Sequence, residues 1–192
     1  MMVARRSPAD DFEDPVALFR AHAGQLRLSE ALRLGLNRYQ FYKLRDEGVI
    51  EPVSRGLYRL AELPPVSDPD LVAVATRFPR AVLCLVSALA WHDLTTQIPR
   101  CVDLAVERNA RLPRQDYPPV HGYRFSGQRF TSGIERHELD GVELKVYDAE
   151  KTLADCFAFR NSLGMDVVLE ALDLYRKRRR PAYDQILKYR TC

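Results

Sequence analysis

Residues Leu28–Leu60 constrain the fold most, because two short helical patterns, a turn and a hairpin follow one another there without interruption. The apolar residues Leu28 and Leu32 recur at helical spacing, and Gly35 then supplies the permissive backbone that a helix C-terminus favours. Asn37 is predicted to cap a second helix, since its short side chain accepts hydrogen bonds from free N–H groups. This order of elements is typical of a helix-turn-helix.

The second helix is predicted to have one narrow packing face, because Phe41, Leu44 and Gly48 stand three and four residues apart. Its opposite side carries aromatic, amide and cationic groups, a mixture that suits a helix in the major groove of DNA. We predict base-edge contacts from some of these residues and phosphate contacts from the others, with Tyr42 suited to either. The base-edge group is Tyr39, Gln40 and Lys43, and the phosphate group is Arg38, Tyr42, Arg45 and Arg55.

Beyond Gly48, residues 49–53 and 56–60 are predicted to be two strands around the turn Ser54–Gly56. Arg55 would lie at the tip of this hairpin, where it can reach a phosphate or a minor groove. Helix, turn, helix and hairpin together predict a winged helix-turn-helix. The pattern is permissive, so the same cations are also compatible with a surface that is merely solvated.

Composition limits the class of protein but does not identify its partner. The 192 residues allow one large domain or two small ones, and a hydrophobic content of 46% is enough for a real core. The formal net charge of +3 is too small to indicate nucleic-acid binding, so a DNA interface would depend on local patches. The widely spaced cysteines predict reduced thiols rather than a disulfide framework or zinc site. They are Cys84, Cys101, Cys156 and Cys192.

A cytoplasmic location is expected from two further features of the sequence. Acidic residues from Asp10 to Asp14 follow the N-terminal arginines, where a signal peptide would need an apolar segment. The apolar stretch Ala81–Trp91 is too short to span a bilayer. We therefore predict no association with a membrane.

The prolines Pro64, Pro65 and Pro69 predict a linker between two domains. Before them, Pro15 begins a predicted helix whose apolar face continues through Ala23 to Leu26. After them, helical and alternating patterns are mixed, which indicates an α/β domain and an α+β fold class for the chain. The predicted domains are a disordered N-terminus at 1–14, a winged helix-turn-helix DNA-binding domain at 15–62, a linker at 63–70 and an α/β C-terminal domain at 71–192.

Within the second domain, the alternation over Val102–Val106 predicts a half-buried strand. Leu83–Leu94 is apolar nearly all round, which favours a buried helix, although Ala81–Val86 alone also fits a strand. Asp140-Gly141 predicts a tight hairpin turn, and Asp148 is predicted to cap the following helix.

The chain resembles the AbiEi-type antitoxins of type IV toxin–antitoxin systems over about residues 12 to 190. The order and spacing of several segments carry the resemblance, and none of them is a catalytic signature. The resemblance implies a winged-helix N-terminal domain and an α/β C-terminal domain linked to antitoxicity. The segments are Leu36–Arg38, Tyr42–Gly48, Ser54–Leu60, Leu85–His92 and Val146–Phe157.

The resemblance also implies partners and a function. The expected partner is double-stranded DNA, as inverted repeats in the chain's own promoter, occupied by a homodimer or by two copies on one repeat pair. A nucleotidyltransferase-like toxin is the expected target of antitoxicity, with direct contact not required. The predicted function is that of a transcriptional autorepressor and antitoxin, and a stand-alone winged-helix regulator is the alternative.

A restriction-nuclease-like, Mg²⁺-dependent enzyme is the rival class. Glu143-Leu144-Lys145 matches the E-x-K half of such a site, and Asp103 or Glu107 would supply the missing acid. A half-buried strand carries alternate polar residues in any case, and three-residue motifs match by accident. We therefore predict no enzyme, no catalytic residue, no cofactor and no metal site. The histidines also lack metal-site spacing and are His22, His92, His121 and His137.

The five cations of Arg176–Arg180 end a predicted helix, where they complement its dipole. Adjacent cations repel unless counterions or a partner screen them. DNA phosphates and an acidic partner surface are therefore alternative explanations for the run. Its members are Arg176, Lys177, Arg178, Arg179 and Arg180.

Overall fold

The computed structural model describes residues 14–63, 67–110, 117–178 and 180–189, and within them the fold is mixed α+β, as predicted. The chain divides into two compact units. The first contains residues 1–69 and 140–142, and the second contains residues 70–139 and 143–192. The segment predicted to be a disordered N-terminus lies outside the described residues except for Asp14, and the predicted linker is described only in part.

Within its described residues, the first unit has three helices and a three-stranded sheet in the order β1-β3-β2, with both pairings antiparallel. Pro52 lies in β2, which is an edge strand of this sheet, so its missing N–H removes no interior hydrogen bond. The elements are α1 (Pro15–Arg20), β1 (Gln25–Arg27), α2 (Leu28–Arg33), α3 (Arg38–Asp46), β2 (Ile50–Ser54) and β3 (Leu57–Leu60).

The first helix is shorter than predicted, and a strand follows it. Ala23 and Gly24 have φ values of 54° and 74°, which a right-handed helix cannot continue. The helix therefore ends at Arg20, and Leu26 pairs with Tyr58 of β3. The apolar pattern through Leu26 was wrongly predicted as one helix, because it belongs to a helix and then to a strand.

Phe41 is the central aromatic side chain of the first unit. It is fully buried, and its ring centroid lies 6.1 Å from that of Phe19 and 4.8 Å from that of Tyr58, the latter edge to face. Leu44 is buried on the same side of α3. The helix is thereby fixed against both α1 and the sheet, with one face turned inward.

The ends of α3 are as predicted. Gln40 N donates to Asn37 Oδ1 at 2.8 Å, and Asn37 N donates to Gln40 Oε1 at 3.2 Å, so the two residues form a reciprocal capping box. Gly48, at φ 72°, follows the C-terminal end of the helix. The cap fixes the start of α3 and leaves little freedom to the residues of its first turn.

Replacing Asn37 tests the cap directly. Asn37→Ala is expected to lower the free energy of unfolding by about 1 kcal/mol, because Gln40 N loses its acceptor. Urea denaturation of the full chain, followed by circular dichroism, measures the change. Asn37→Asp retains an acceptor and is the control. Equal stability of Asn37→Ala and the original chain would show that the cap contributes nothing.

The second unit has a five-stranded sheet in the order β6-β5-β4-β8-β7. The pair β4–β5 is antiparallel, whereas β4–β8 and β5–β6 are parallel. The elements are α4 (Pro69–Arg77), β4 (Val82–Leu83), α5 (Leu85–Trp91), β5 (Val102–Glu107), β6 (Val120–Phe125), α6 (Gln128–Thr131), β7 (Ile134–Leu139), β8 (Val142–Tyr147), α7 (Ala149–Ala158), α8 (Arg160–Leu163), α9 (Met165–Arg176) and α10 (Tyr183–Tyr189).

Two sequence predictions in this unit need correction. The apolar stretch from Leu83 to Leu94 is not one helix, because the chain changes from β4 to α5 at Leu85, whose φ is 46°. The strand β5 is not half-buried, since its first five residues are all buried. It lies between β6 and β4 and packs against α5 and α6, so Asp103 is buried as well as its apolar neighbours.

The helix α7 is the central helix of the second unit and packs against α5, α8, α9 and α10. Lys151 of this helix is completely buried and forms an ion pair with Asp155. Arg129 Nη2 lies 3.3 Å from Asp155 Oδ1, and Lys151 Nζ lies 4.6 Å from the ring centroid of Tyr147. Burial raises the pKa of Asp155, and the two cations oppose that shift.

The rest of the Val146–Phe157 segment is also held by internal contacts. Asp148 caps α7, as predicted, by accepting from Lys151 N at 2.6 Å. The same carboxylate accepts from Tyr189 Oη at 2.7 Å, and Glu150 accepts from Tyr175 Oη. The acidic side chains of this segment therefore anchor α7 to α9 and α10.

The buried ion pair predicts a large effect of removing one charge. Lys151→Met is expected to lower the free energy of unfolding by about 3 kcal/mol, because Asp155 stays buried without its nearest cation. The double variant Lys151→Met/Asp155→Leu is expected to recover part of the loss, since no buried carboxylate remains. Urea denaturation compares the three proteins. A double variant less stable than the single variant would contradict this account of the pair.

Candidate nucleic-acid interface

The buried residues of α3 determine which of its residues face outward. Each residue turns the helix by about 100°, so the residues opposite Phe41 and Leu44 are Tyr39, Lys43 and Asp46. Tyr39 is 77% exposed, and the Lys43 side chain is 56% exposed. A tyrosine and a lysine one turn apart therefore project together from the unit, beside one acidic residue.

Gln40 does not lie with Tyr39 and Lys43. It is half-buried, and its side-chain oxygen accepts from Asn37 N in the capping box. A contact between Gln40 and a base edge would have to use the amide nitrogen or open the cap. This contact stays a prediction, whereas the role of Gln40 at the helix start is evident from the geometry.

Arg45 and Tyr42 form a second group on the flank of α3. The guanidinium donates from Nε and Nη2 to Asp46 Oδ1 at 2.9 and 2.7 Å and lies 4.7 Å from the Tyr42 ring centroid. The hydrogen bond to Asp46 raises the pKa of Arg45, and a bond with Tyr58 adds to the shift. Arg45 is thus held in one orientation with its charge still exposed.

Lys43 is held less firmly. Its ammonium group lies 3.8 Å from Glu47 Oε1, and both side chains are more than half exposed. Exposed pairs of this kind contribute little to stability, so Lys43 can leave Glu47 for another anion at small cost. Arg38 is exposed in the first turn of the same helix.

Arg55 lies at the turn between β2 and β3, as predicted, and its side chain is exposed. Gly56 follows it at φ 77°, which allows the tight reversal. Leu28 N donates to Gly56 O at 2.9 Å, so the turn is fastened to the start of α2. The hairpin tip is therefore held beside the helices of its own unit.

The basic run is partly used within the second unit. Arg176, at the end of α9, lies 3.1 Å from Asp173, and Arg178 donates to the carbonyl oxygen of His92. Lys177 and Arg180 are exposed, and Arg179 lies outside the described residues. Two of the four described cations thus stabilise the helix end and its neighbourhood.

The predicted nuclease residues are engaged in other contacts. Both carboxylate oxygens of Glu143 lie 3.0 Å from Arg136 Nη1, a hydrogen bond that lowers the pKa of Glu143. Lys145 Nζ donates to Pro79 O at 2.8 Å. Asp103 lies two strands away from Glu143, roughly 10 Å across the sheet. The predicted combination of Asp103 with the E-x-K residues is therefore not formed.

Glu107, the other candidate acid, lines a cavity of about 970 Å³ together with Lys145. Arg80 and Arg136 line the same cavity, so one carboxylate faces three cations there. This balance of charge favours an anion over Mg²⁺, which needs several oxygen ligands. The cavity does not support the magnesium-dependent mechanism.

One cluster of possible ligands in the second unit was not predictable from residue spacing. Cys101, Asp103 and His121 offer ligand atoms that all lie within 4.8 Å of one another. Their spacing along the chain fits no metal motif, because His121 reaches the group through strand pairing. Only the parallel register of β5 with β6 could have indicated it.

Among the described residues, no helix combines the length and the apolar surface that crossing a bilayer requires.

Comparison with known proteins gives one structural match for the chain and one family match for part of the first unit. The chain matches the crystal structure of the RV2827C protein from Mycobacterium tuberculosis with a TM-score of 0.59 and 18% sequence identity. The match covers 98% of this chain and 73% of that one. At this identity the likeness shows the fold alone. No curated protein matches the chain significantly. Residues 13–61, from α1 to β3, match the family described as "Transcriptional regulator, AbiEi antitoxin", which confirms the predicted resemblance over this segment.

Proposed function

We propose that this chain is a DNA-binding transcriptional autorepressor that acts as the antitoxin of a type IV toxin–antitoxin system. The observation that carries the proposal is the outward face of α3. It projects Tyr39 and Lys43 from a segment that matches a family of transcriptional regulators and antitoxins. The proposed organisation is a winged helix-turn-helix at 15–62 and an α/β antitoxin domain at 71–192, in a cytoplasmic protein.

The order of elements supports a winged helix-turn-helix. The helices α2 and α3 are joined by a short turn in which Gly35 has a φ of 102°, and the hairpin β2–β3 follows α3 directly. In this arrangement α3 is the helix that enters the major groove, and the hairpin is the wing. The bond from Leu28 N to Gly56 O supports a wing held in a fixed position relative to α2.

The proposed contacts divide into two groups. Tyr39 and Lys43 contact base edges. Gln40 belongs to the same group, although its side-chain oxygen is engaged in the capping box. Arg38, Tyr42, Arg45 and Arg55 position the protein on phosphates. Arg38 lies in the first turn of α3, where a cation opposes the helix dipole. A phosphate bound at that end would pair with Arg38 and accept hydrogen bonds from the free N–H groups, which supports the phosphate assignment.

The proposed operator is an inverted repeat in the chain's own promoter, occupied by two protomers. The toxin counteracted is of the nucleotidyltransferase-like class, and antitoxicity does not require direct contact with it. Arg176–Arg180 are proposed to contribute phosphate or acidic-partner contacts, mainly through Lys177 and Arg180, which are exposed.

Lys43→Ala tests the placement of the recognition face. The variant is expected to lose about 1 kcal/mol of binding free energy, and the slope of log K against log salt is expected to become shallower, because an interface with one cation fewer releases fewer counterions from the DNA. Fluorescence anisotropy with DNA from upstream of the coding sequence, across a range of salt concentrations, measures both quantities.

Arg20→Ala is the matched control, because it also removes one exposed cation from the first unit. Arg20 lies on α1, where it pairs with Glu62 at 3.2 Å, and it has no proposed contact with DNA. Its salt slope should equal that of the original chain. If Lys43→Ala also retained the original affinity and slope, the recognition face would be wrongly placed.

Glu47→Gln is expected to strengthen binding to the same DNA. The substitution removes an exposed carboxylate beside the proposed phosphate surface and releases Lys43 from its ion pair. A gain of about 0.3 to 1 kcal/mol is expected, similar in size to a surface charge interaction. Glu62→Gln removes an exposed carboxylate from another part of the unit and should leave affinity unchanged. Weaker binding by Glu47→Gln would contradict the proposed orientation of α3.

The antitoxin role is tested by growth. The chain is co-expressed with the product of the adjacent gene, and an antitoxin restores growth that this product inhibits. A variant that has lost DNA binding, such as Lys43→Ala combined with Arg45→Ala, separates the two activities. Binding to the promoter without restored growth would indicate the alternative, a stand-alone winged-helix regulator.

A further inference from the structure

Cys101, Asp103 and His121 form a compact cluster on the sheet of the second unit. Cys101 Sγ lies 3.9 Å from Asp103 Oδ1, and His121 Nδ1 lies 4.0 Å from the same oxygen. The Asp103 side chain is almost fully buried, whereas the His121 side chain is 64% exposed. A thiol, a carboxylate and an imidazole thus meet at a point that solvent can reach from one side.

Strand pairing brings the three residues together. Asp103 and His121 are direct partners in the parallel pair β5–β6. Cys101 stands two residues before Asp103 and therefore lies on the same side of the chain. The arrangement is set by the backbone register, so it does not depend on a flexible loop.

A second set of contacts holds the cluster in place from α5. Ser87 Oγ accepts from Asp103 N at 2.8 Å and donates to Cys101 O at 3.3 Å. The Asp103 carboxylate accepts hydrogen bonds from the backbone N–H groups of Val86 and Ser87. Outer contacts of this kind orient ligating carboxylates in metal sites.

We propose that Cys101, Asp103 and His121 bind a divalent transition metal of the zinc class. Thiolate, imidazole and carboxylate are the ligands that zinc takes in proteins, and three protein ligands leave one position for water. Tetrahedral bonds to such ligands place them about 3.3 to 3.8 Å apart, so small side-chain rotations close the site from its present spacing. Binding at His121 Nδ1 would replace the contact of 3.3 Å between that atom and Tyr123 Oη.

Burial makes negative charge unfavourable at the cluster. Burial raises the pKa of Asp103 to about 6, despite the opposing effect of His121. Burial and then Asp103 raise the pKa of the Cys101 thiol.

A metal ion at this site would also stabilise one edge of the sheet. The strand β6 is the terminal strand in the order β6-β5-β4-β8-β7. A metal shared by Cys101 and Asp103 on one side and His121 on the other would join β6 to β5. Metal binding is therefore expected to stabilise the second unit by mass action.

Cobalt binding to the full chain tests the proposal. The protein is stripped with a chelator under reducing conditions, and Co²⁺ is then titrated while the thiolate-to-cobalt charge-transfer band is recorded. One ion per chain is expected, with no charge-transfer band in Cys101→Ser and an affinity at least about tenfold lower in His121→Gln. Cys192→Ser and His137→Gln are the matched controls and should bind as the original chain does.

Thermal unfolding with Zn²⁺ is the second measurement. The midpoint is expected to rise for the original chain and both controls, to rise less for His121→Gln, and to stay unchanged for Cys101→Ser. Since His121 is mostly exposed, His121→Gln should fold even if Cys101→Ser does not. Absence of the cobalt band in the original chain, or an undiminished response to both metals in His121→Gln, would overturn the proposal.

Discussion

The burial of Phe41 is the interaction on which the proposed function depends. Its ring lies against Phe19 of α1 and Tyr58 of β3, so α3 cannot rotate about its axis without breaking this aromatic core. The orientation of the opposite face follows from that constraint and from helical geometry. Tyr39 and Lys43 project outward because Phe41 and Leu44 are held inside.

Features set by neighbouring residues were predictable from the sequence. Asn37 and Asp148 cap the helices that follow them, and Gly48 and Gly56 take the positive φ values that end a helix and close a turn. In each case the interaction joins residues a few positions apart, so its chemistry is visible in a short window of sequence. The exposed positions on α3 follow from the same local periodicity.

Features set by distant pairing were not predictable in the same way. Leu26 belongs to a strand because β3 pairs with it, and Asp103 is buried because strands and helices pack around β5. The burial of Lys151 depends on Asp155 one turn away and on aromatic rings from β6 and β8. Likewise, His121 lies beside Asp103 because of the strand register, which is a tertiary property. The spacing of metal ligands along a sequence does not predict such a register.

The reciprocal cap between Asn37 and Gln40 has an evolutionary consequence. The residues that start α3 and those that pack it are different from the exposed pair Tyr39 and Lys43. Replacement of Tyr39 or Lys43 therefore costs the fold little, whereas replacement of Asn37 or Phe41 weakens it. Under the proposed function, descendants of such a chain could acquire new operators by substitution at the two outer positions, while selection for stability keeps the residues beneath them unchanged.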